Sequence, residues 1–225
     1  MRKLIILSAI LMMGSTAFGQ FRSVNRLAFE SNVGFSIAHG DIAPSRIGAA
    51  LQVGGVYSLL RSMGIGFYVN YASLASRTDT YRRSFESNVI GFQMDYHINI
   101  PQLLTDYPQT FPVSPYFRVS VGYDIAQPID VNFGGYDDIY PETEAVVESS
   151  TYTALTIPTV VGAYFRLNQY ADLNLKLNYV YANTDMIDGH DPGVLGNRYK
   201  DSYSMIMIGV RMKSWDRRRP HITGR

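Results

Sequence analysis

The stretch Asp172-Leu173-Asn174-Leu175-Lys176-Leu177-Asn178-Tyr179-Val180-Tyr181 decides how the chain is read. It sets Leu173, Leu175, Leu177, Tyr179 and Tyr181 on one face and Asp172, Asn174, Lys176 and Asn178 on the other. A period of two belongs to a β-strand, whose successive side chains point to opposite faces. Working outward, the same rule governs Leu27–Ile37, Ile47–Leu59, Met63–Tyr71, Ile90–Asn99, Tyr116–Asp124, Leu155–Arg166 and Met205–Met212. The pattern predicts an all-β fold of eight antiparallel strands.

Alternation alone fits a soluble sandwich or a membrane barrel: the apolar face is the core in one and faces lipid in the other. Three features select an eight-stranded up-and-down transmembrane barrel of the outer-membrane type. The polar faces are rich in Gly, Ala, Ser and Asn and poor in the Lys and Glu of a water-facing sheet, as suits a narrow interior. The strands match the roughly 9–11 residues that cross a bilayer at a tilt. The connections alternate in length. Arg61-Ser62 and Asn168-Gln169 are short, whereas Ala38–Arg46, Ser73–Ser87, Ile125–Ala154 and Asn183–Ser202 are long. Short turns on the periplasmic side and long loops outside are the outer-membrane arrangement. The fourth connection, Pro101–Ser114, carries Pro101, Pro108 and Pro112 and departs from it as an extended periplasmic turn.

Composition agrees with this reading. The 225 residues are 46% hydrophobic but only 17% charged, below the roughly 25% charged of soluble domains. A formal net charge of +1 argues against nucleic acid, which requires a clustered basic face. The absence of cysteine excludes disulfides, thiol catalysis and cysteine-ligated metals. Residues 1–19 have the form of a secretory signal: Arg2 and Lys3, an apolar run from Leu4 to Met13, then Ala17-Phe18-Gly19 as the cleavage site. The mature chain is expected to begin at Gln20, with a lead-in over 20–26, the barrel over 27–215 and a basic periplasmic tail over 216–225. The destination is the outer membrane of a Gram-negative bacterium.

The inward faces carry charges of both signs. Glu30, Asp95, Asp124 and Asp172 stand against Arg118, Arg166, Lys176 and Arg211, with His97 beside Asp95. In a confined interior they are expected to pair, since an unpaired buried charge costs far more than a satisfied one. A self-neutralising plug is the reading preferred over an ion-selective constriction. No catalytic residue, metal site or cofactor is expected. His97 lacks a serine nucleophile, and His39-Gly40-Asp41, at the outer rim of the first strand, suits a strand-end cap. Asp130, Asp137, Asp138, Glu142, Glu144 and Glu148 make the third outer connection acidic without the spacing of a calcium loop. Trp215 is placed as a periplasmic interface anchor, where amphipathic rings settle. The partners expected are outer-membrane lipid and a periplasmic or cell-surface protein.

Three stretches carry a family likeness. Gly34-Phe35-Ser36-Ile37-Ala38-His39-Gly40-Asp41-Ile42 resembles the first strand and Gly-Asp turn of small Bacteroidetes-type outer-membrane barrels. Ser114-Pro115-Tyr116-Phe117-Arg118-Val119-Ser120-Val121-Gly122 resembles their fifth strand, and Arg82-Arg83-Ser84-Phe85-Glu86-Ser87 is similar to a stretch of the PorG-like barrels of the type IX secretion system. The arrangement is also similar to the transmembrane domain of the OmpA group, without its peptidoglycan-binding domain. The resemblance implies a non-enzymatic barrel, structural or partner-binding through its loops. Its alternatives are a secretion-machinery subunit and a lipid-modifying barrel enzyme.

Overall fold

The computed structural model describes residues 27–39, 45–78, 83–105, 111–133, 151–183 and 201–213. The predicted signal segment 1–19, the lead-in 20–26, Trp215, the basic tail and most of the acidic third connection lie outside them. Eight strands run β1 (Leu27–His39), β2 (Ser45–Ser58), β3 (Met63–Thr78), β4 (Arg83–Asn99), β5 (Val113–Phe133), β6 (Tyr152–Arg166), β7 (Ala171–Ala182) and β8 (Ser202–Lys213). Each pairs antiparallel with the next, and β8 returns to β1 to close the barrel. Closure leaves no open sheet edge between lipid and backbone, the condition for a sheet to span a bilayer.

The register fixes the barrel's shape. The path Leu27↔Tyr57↔Ile65↔Tyr96↔Val119↔Thr159↔Tyr179↔Ser204 comes back to β1 at Ile37, ten residues beyond its start. Such a stagger over eight strands tilts them by roughly 40° and leaves an interior that side chains fill. At about 3.3 Å per residue and this tilt, the 12 residues of β7 rise roughly 28 Å, enough for an apolar band of about 25 Å.

The wall's outer face is that band. Phe35, Phe67 and Val121 are 63%, 63% and 69% exposed, which is untenable in water but favourable against acyl chains. From Leu27 to Ile37, Ile47 to Tyr57, Met63 to Tyr71, Ile90 to Ile98, Phe117 to Ile125, Leu155 to Phe165, Leu173 to Tyr181 and Ser204 to Met212, no outward position is charged. Tyrosines stand at its margins: Tyr57 and Tyr96 toward the short-turn end, Tyr123, Tyr179 and Tyr181 toward the other.

Two expectations are corrected. The connection predicted over Ser73–Ser87 is mostly strand: β3 and β4 stay paired to Thr78↔Arg83, leaving only 79–82 between them. Likewise β5 continues from Asp124 to Phe133, paired with β4. The cause is an inversion of the pattern. Beyond Tyr71 and Ile90 the outward residues become polar or charged (Arg77, Glu86, Asn88), while Leu74, Phe85 and Val89 turn inward and are buried. The strands there have left the lipid, so water faces the outside and apolar residues move within. The Tyr71 hydroxyl, donating to Asn88 Oδ1 at 2.9 Å, sits at this border. The fourth connection also begins as more than a turn. A short helix, α1 (Ile100–Leu103), has Pro101 in its first turn and Asn99 as its cap, Asn99 Oδ1 accepting from Gln102 N at 3.3 Å.

Leu175→Arg or Ile208→Arg, in mid-band, is expected to cost about 2–4 kcal/mol of folding free energy. Glu86→Lys, above the border, is expected to stay within about 0.5 kcal/mol. Denaturant titration of folding into phospholipid vesicles checks both.

Candidate functional site: the barrel interior

Even-numbered residues of β1, β2, β3, β5, β6 and β7 and odd-numbered residues of β4 and β8 point inward. They form three levels. Nearest the short-turn end is an ionic level built on Arg118, which is fully buried. Its Nη2 donates to Glu30 Oε1 and Oε2 at 2.8 and 2.7 Å and to the Tyr164 hydroxyl at 2.5 Å. Nη1 lies 3.5 Å from Asp95 Oδ2, and Tyr164 donates in turn to Glu30 Oε1 at 2.6 Å. The guanidinium carbon stands 4.7 Å from the Tyr68 ring centre and 4.6 Å from that of Tyr116. A second guanidinium, Arg211, lies 4.4 Å over Tyr164, with its Nε 3.9 Å from Glu30 Oε1. His97 stacks on Tyr116 and Tyr164 at 5.1 and 5.8 Å, and those two rings stack at 4.3 Å.

The chemistry explains the residue types. An arginine in a dry interior requires carboxylates for its charge and aromatic faces for its plane. A desolvated cation–π contact adds about 2 kcal/mol or more. Glycines make room for the rings. A Cβ on Gly162 would lie 2.5 Å from the Tyr116 ring, and Cβ atoms on Gly54 and Gly66 would lie 2.3 and 2.6 Å from that of Tyr68.

Above it runs an amide level. Lys176 Nζ donates to Gln52 Oε1, and Gln52 Nε2 to Asn70 Oδ1. Asn70 Nδ2 continues to Gln93 Oε1, and Gln93 Nε2 reaches Asp95 Oδ1 at 2.9 Å. A carboxamide both donates and accepts, so it can relay such a chain. A second chain runs from the Tyr116 hydroxyl to Asn174 Oδ1 and from Asn174 Nδ2 to Asn32 Oδ1, both at 2.8 Å. The third level, toward the long-connection end, is apolar: Leu74, Phe85, Val89, Val180, Tyr203, Met205 and Met207 pack with Ala38, Ala50, Ala72, Ala126, Ala154 and Ala182.

The structure brings together Glu30, Asp95, His97, Arg118 and Arg211, and joins Lys176 to them through amides. Three predicted members stand elsewhere. Arg166 is exposed, because it is the last residue of β6 and its inward parity carries it past the mouth of the barrel. Asp172, its register partner, pairs instead with Lys213 at 2.6 Å. Asp124 accepts from neutral hydroxyls, Tyr203 at 2.8 Å and Thr156 at 3.5 Å. The four-against-four pairing is thus replaced by Arg118 shared between Glu30 and Asp95, with Arg211 also near Glu30 and Asp172 paired with Lys213. Sequence reasoning also missed the clamp of Tyr68, Tyr116 and Tyr164. Its signal is an aromatic residue at a polar-face position with glycine opposite, as in Gly54↔Tyr68 and Tyr116↔Gly162.

His39, at the end of β1, is exposed on the outer wall, with Nε2 2.8 Å from Ser204 Oγ and its ring 6.2 Å from that of Tyr179. Asp41, the acid predicted beside it, lies outside the described residues. Among the described residues no group of three or more His, Cys, Asp and Glu side chains is placed to hold a metal ion.

No protein-family model matches the chain, and no curated protein matches it in sequence. Solved structures do. The neisserial surface protein NspA matches with a TM-score of 0.52 and 16% identity, over 84% of this chain and 97% of that one. OprG, an outer-membrane protein of Pseudomonas aeruginosa, matches at 0.46 with 11% identity, over 84% and 96%. A major outer-membrane protein of Thermus thermophilus matches at 0.45 with 16% identity, over 83% and 98%. The likeness to NspA is one of fold: the closed eight-stranded antiparallel barrel.

Removing one partner of the buried pair should be far worse than removing both. Arg118→Ala is expected to cost about 3–5 kcal/mol by stranding Glu30. Glu30→Gln combined with Arg118→Met should recover much of that loss in the same denaturant titration. Gly162→Val, which drives a side chain into Tyr116, should destabilise the barrel, whereas Gly162→Val with Tyr116→Ala should not add a second penalty.

Proposed function

We propose that the chain is a non-enzymatic outer-membrane barrel with a closed interior, acting as a structural or partner-binding element through the parts that project from the membrane. The observation that carries this reading is the interior: Arg118, with its carboxylates and rings, fills the lumen at one level, and buried apolar side chains fill it at another. Eight strands leave room for little more than their own side chains. The apolar band with tyrosines at its margins supports a place in lipid. The signal-like N-terminus, with cleavage after Gly19, supports export. In this reading outer-membrane lipid is one partner and a periplasmic or cell-surface protein the other.

Function then lies in the paired strands beyond Tyr71 and Ile90 and in the connections they carry. Loops held by a rigid scaffold are where binding residues concentrate. A second reading, a PorG-like subunit of secretion machinery, is favoured by the fourth connection, which places α1 and a proline-bearing segment at the short-turn end.

Purified protein in planar bilayers is expected to give no sustained ion conductance; sustained conductance would overturn the closed reading. The membrane-bound protein should have the intact mass of a chain starting at Gln20. Crosslinking in cells separates the two roles: recovery of periplasmic secretion components favours the second, and contacts confined to the surface favour the first.

A further inference from the structure

The lumen is filled at two heights by unlike chemistry. We infer that it is sealed twice in series, so that opening either seal alone leaves the barrel shut. This rests on the closed-barrel reading and extends it to how the closure is built. The lower seal is the Arg118–Glu30 pair between stacked rings. The upper seal is the apolar level around Leu74 and Phe85, which are 1% and 4% exposed. On β5, Arg118 and Ala126 mark the two levels; at about 3.3 Å per residue and a tilt of roughly 40°, they stand about 20 Å apart along the axis.

The seals resist an ion for different reasons. The lower one holds Glu30 and Arg118 in mutual charge-assisted hydrogen bonds, which an entering ion must break. The upper one is lined mainly by alkyl and ring carbons, and its Tyr203 hydroxyl and Asp124 carboxyl are engaged with each other, so it offers an entering ion little in exchange for hydration water. Breaking one leaves the other's mechanism intact. Between them lies Asn178, fully buried on β7 two positions below Val180. Its amide nitrogen and oxygen have no hydrogen-bond partner among the described residues. It points into the barrel between the two levels, and no hydrogen bond among the described residues is lost when it is replaced.

The chain contains no cysteine, so Asn178→Cys gives a single reporter thiol. It is placed in four backgrounds reconstituted in vesicles: unaltered, lower seal removed (Glu30→Ala with Arg118→Ala), upper seal removed (Leu74→Ala with Phe85→Ala), and both seals removed (all four substitutions). A charged, membrane-impermeant thiol reagent is applied from one side at a time, and conductance is recorded on the same proteins. The thiol should be inert in the unaltered background. It should react only from the short-turn side when the lower seal is gone, and only from the long-connection side when the upper seal is gone. Conductance should appear only when both seals are removed together. Labelling from both sides, or conductance, in either single-seal variant overturns the inference. Conductance of the unaltered protein instead overturns the closed-barrel reading beneath it. Each variant is first checked for folding by its heat-dependent shift in gel mobility. Where the alanine pair at the lower seal does not fold, Glu30→Gln with Arg118→Gln takes its place under the same readouts.

Discussion

A guanidinium buried in the middle of an eight-stranded barrel has to be neutralised inside it, and the nearer of the two carboxylates that do so comes from across the barrel. Arg118 projects from β5, and the carboxylate that holds it, Glu30, projects from β1 on the opposite side. The pair is therefore a strut as well as an ion pair. Its geometry dictates its neighbours. Tyr164 bonds to both partners, Tyr68 and Tyr116 cover the guanidinium faces, and Arg211 covers the far side of Tyr164. Those rings then need space, which glycines at positions 54, 66 and 162 provide. Residues from six of the eight strands are committed once Arg118 is placed.

The surroundings of the wall explain why the rest of the interior differs. Where lipid faces the outside, apolar side chains gain by pointing outward, and the inside is left to polar groups that must satisfy one another. Where the strands rise past Tyr71 and Ile90 the preference reverses, and the barrel acquires an apolar core like that of a soluble sheet. One architecture thus contains two burial regimes stacked along an axis. The amide level is the junction. Its side chains link the ionic network through Gln93, Asn70 and Gln52 to Lys176, and Asp124 is held by Tyr203 of the apolar level.

This also accounts for what could be read from the sequence. Leu173 to Tyr181 announces β7 because both faces are unambiguous and the whole strand lies in one regime. Eight strands, their order and the inward parity of Arg118 follow from the same rule. The stretch Ser73–Ser87 defeats it because Leu74 and Phe85 sit on the side that the previous residues reserved for polar groups. Read with a fixed apolar face, an inverted strand looks like a loop. Arg166 fails in another way, since parity says which way a side chain leaves the backbone but not whether the barrel still encloses it at that height. The tyrosine clamp was visible as residues but not as an interaction, because Glu30 and Tyr164 are 134 positions apart.

The division of the interior bears on where function can reside. A buried charge pair fixed by rings and backbone is a poor recognition element, since any ligand would have to replace contacts already made. The apolar level is equally occupied by its own side chains. What remains adaptable is the polar outer surface of β3 and β4 beyond the apolar band, where Glu86 and Arg77 are exposed. These strands carry their pairing well past Tyr71 and Ile90, so the connections are carried on a stiff paired sheet rather than on a tether. The ionic level at one end and the projecting sheet at the other therefore belong to a single design: the first ties opposite walls of the barrel together, and the second extends the tied walls beyond the apolar band.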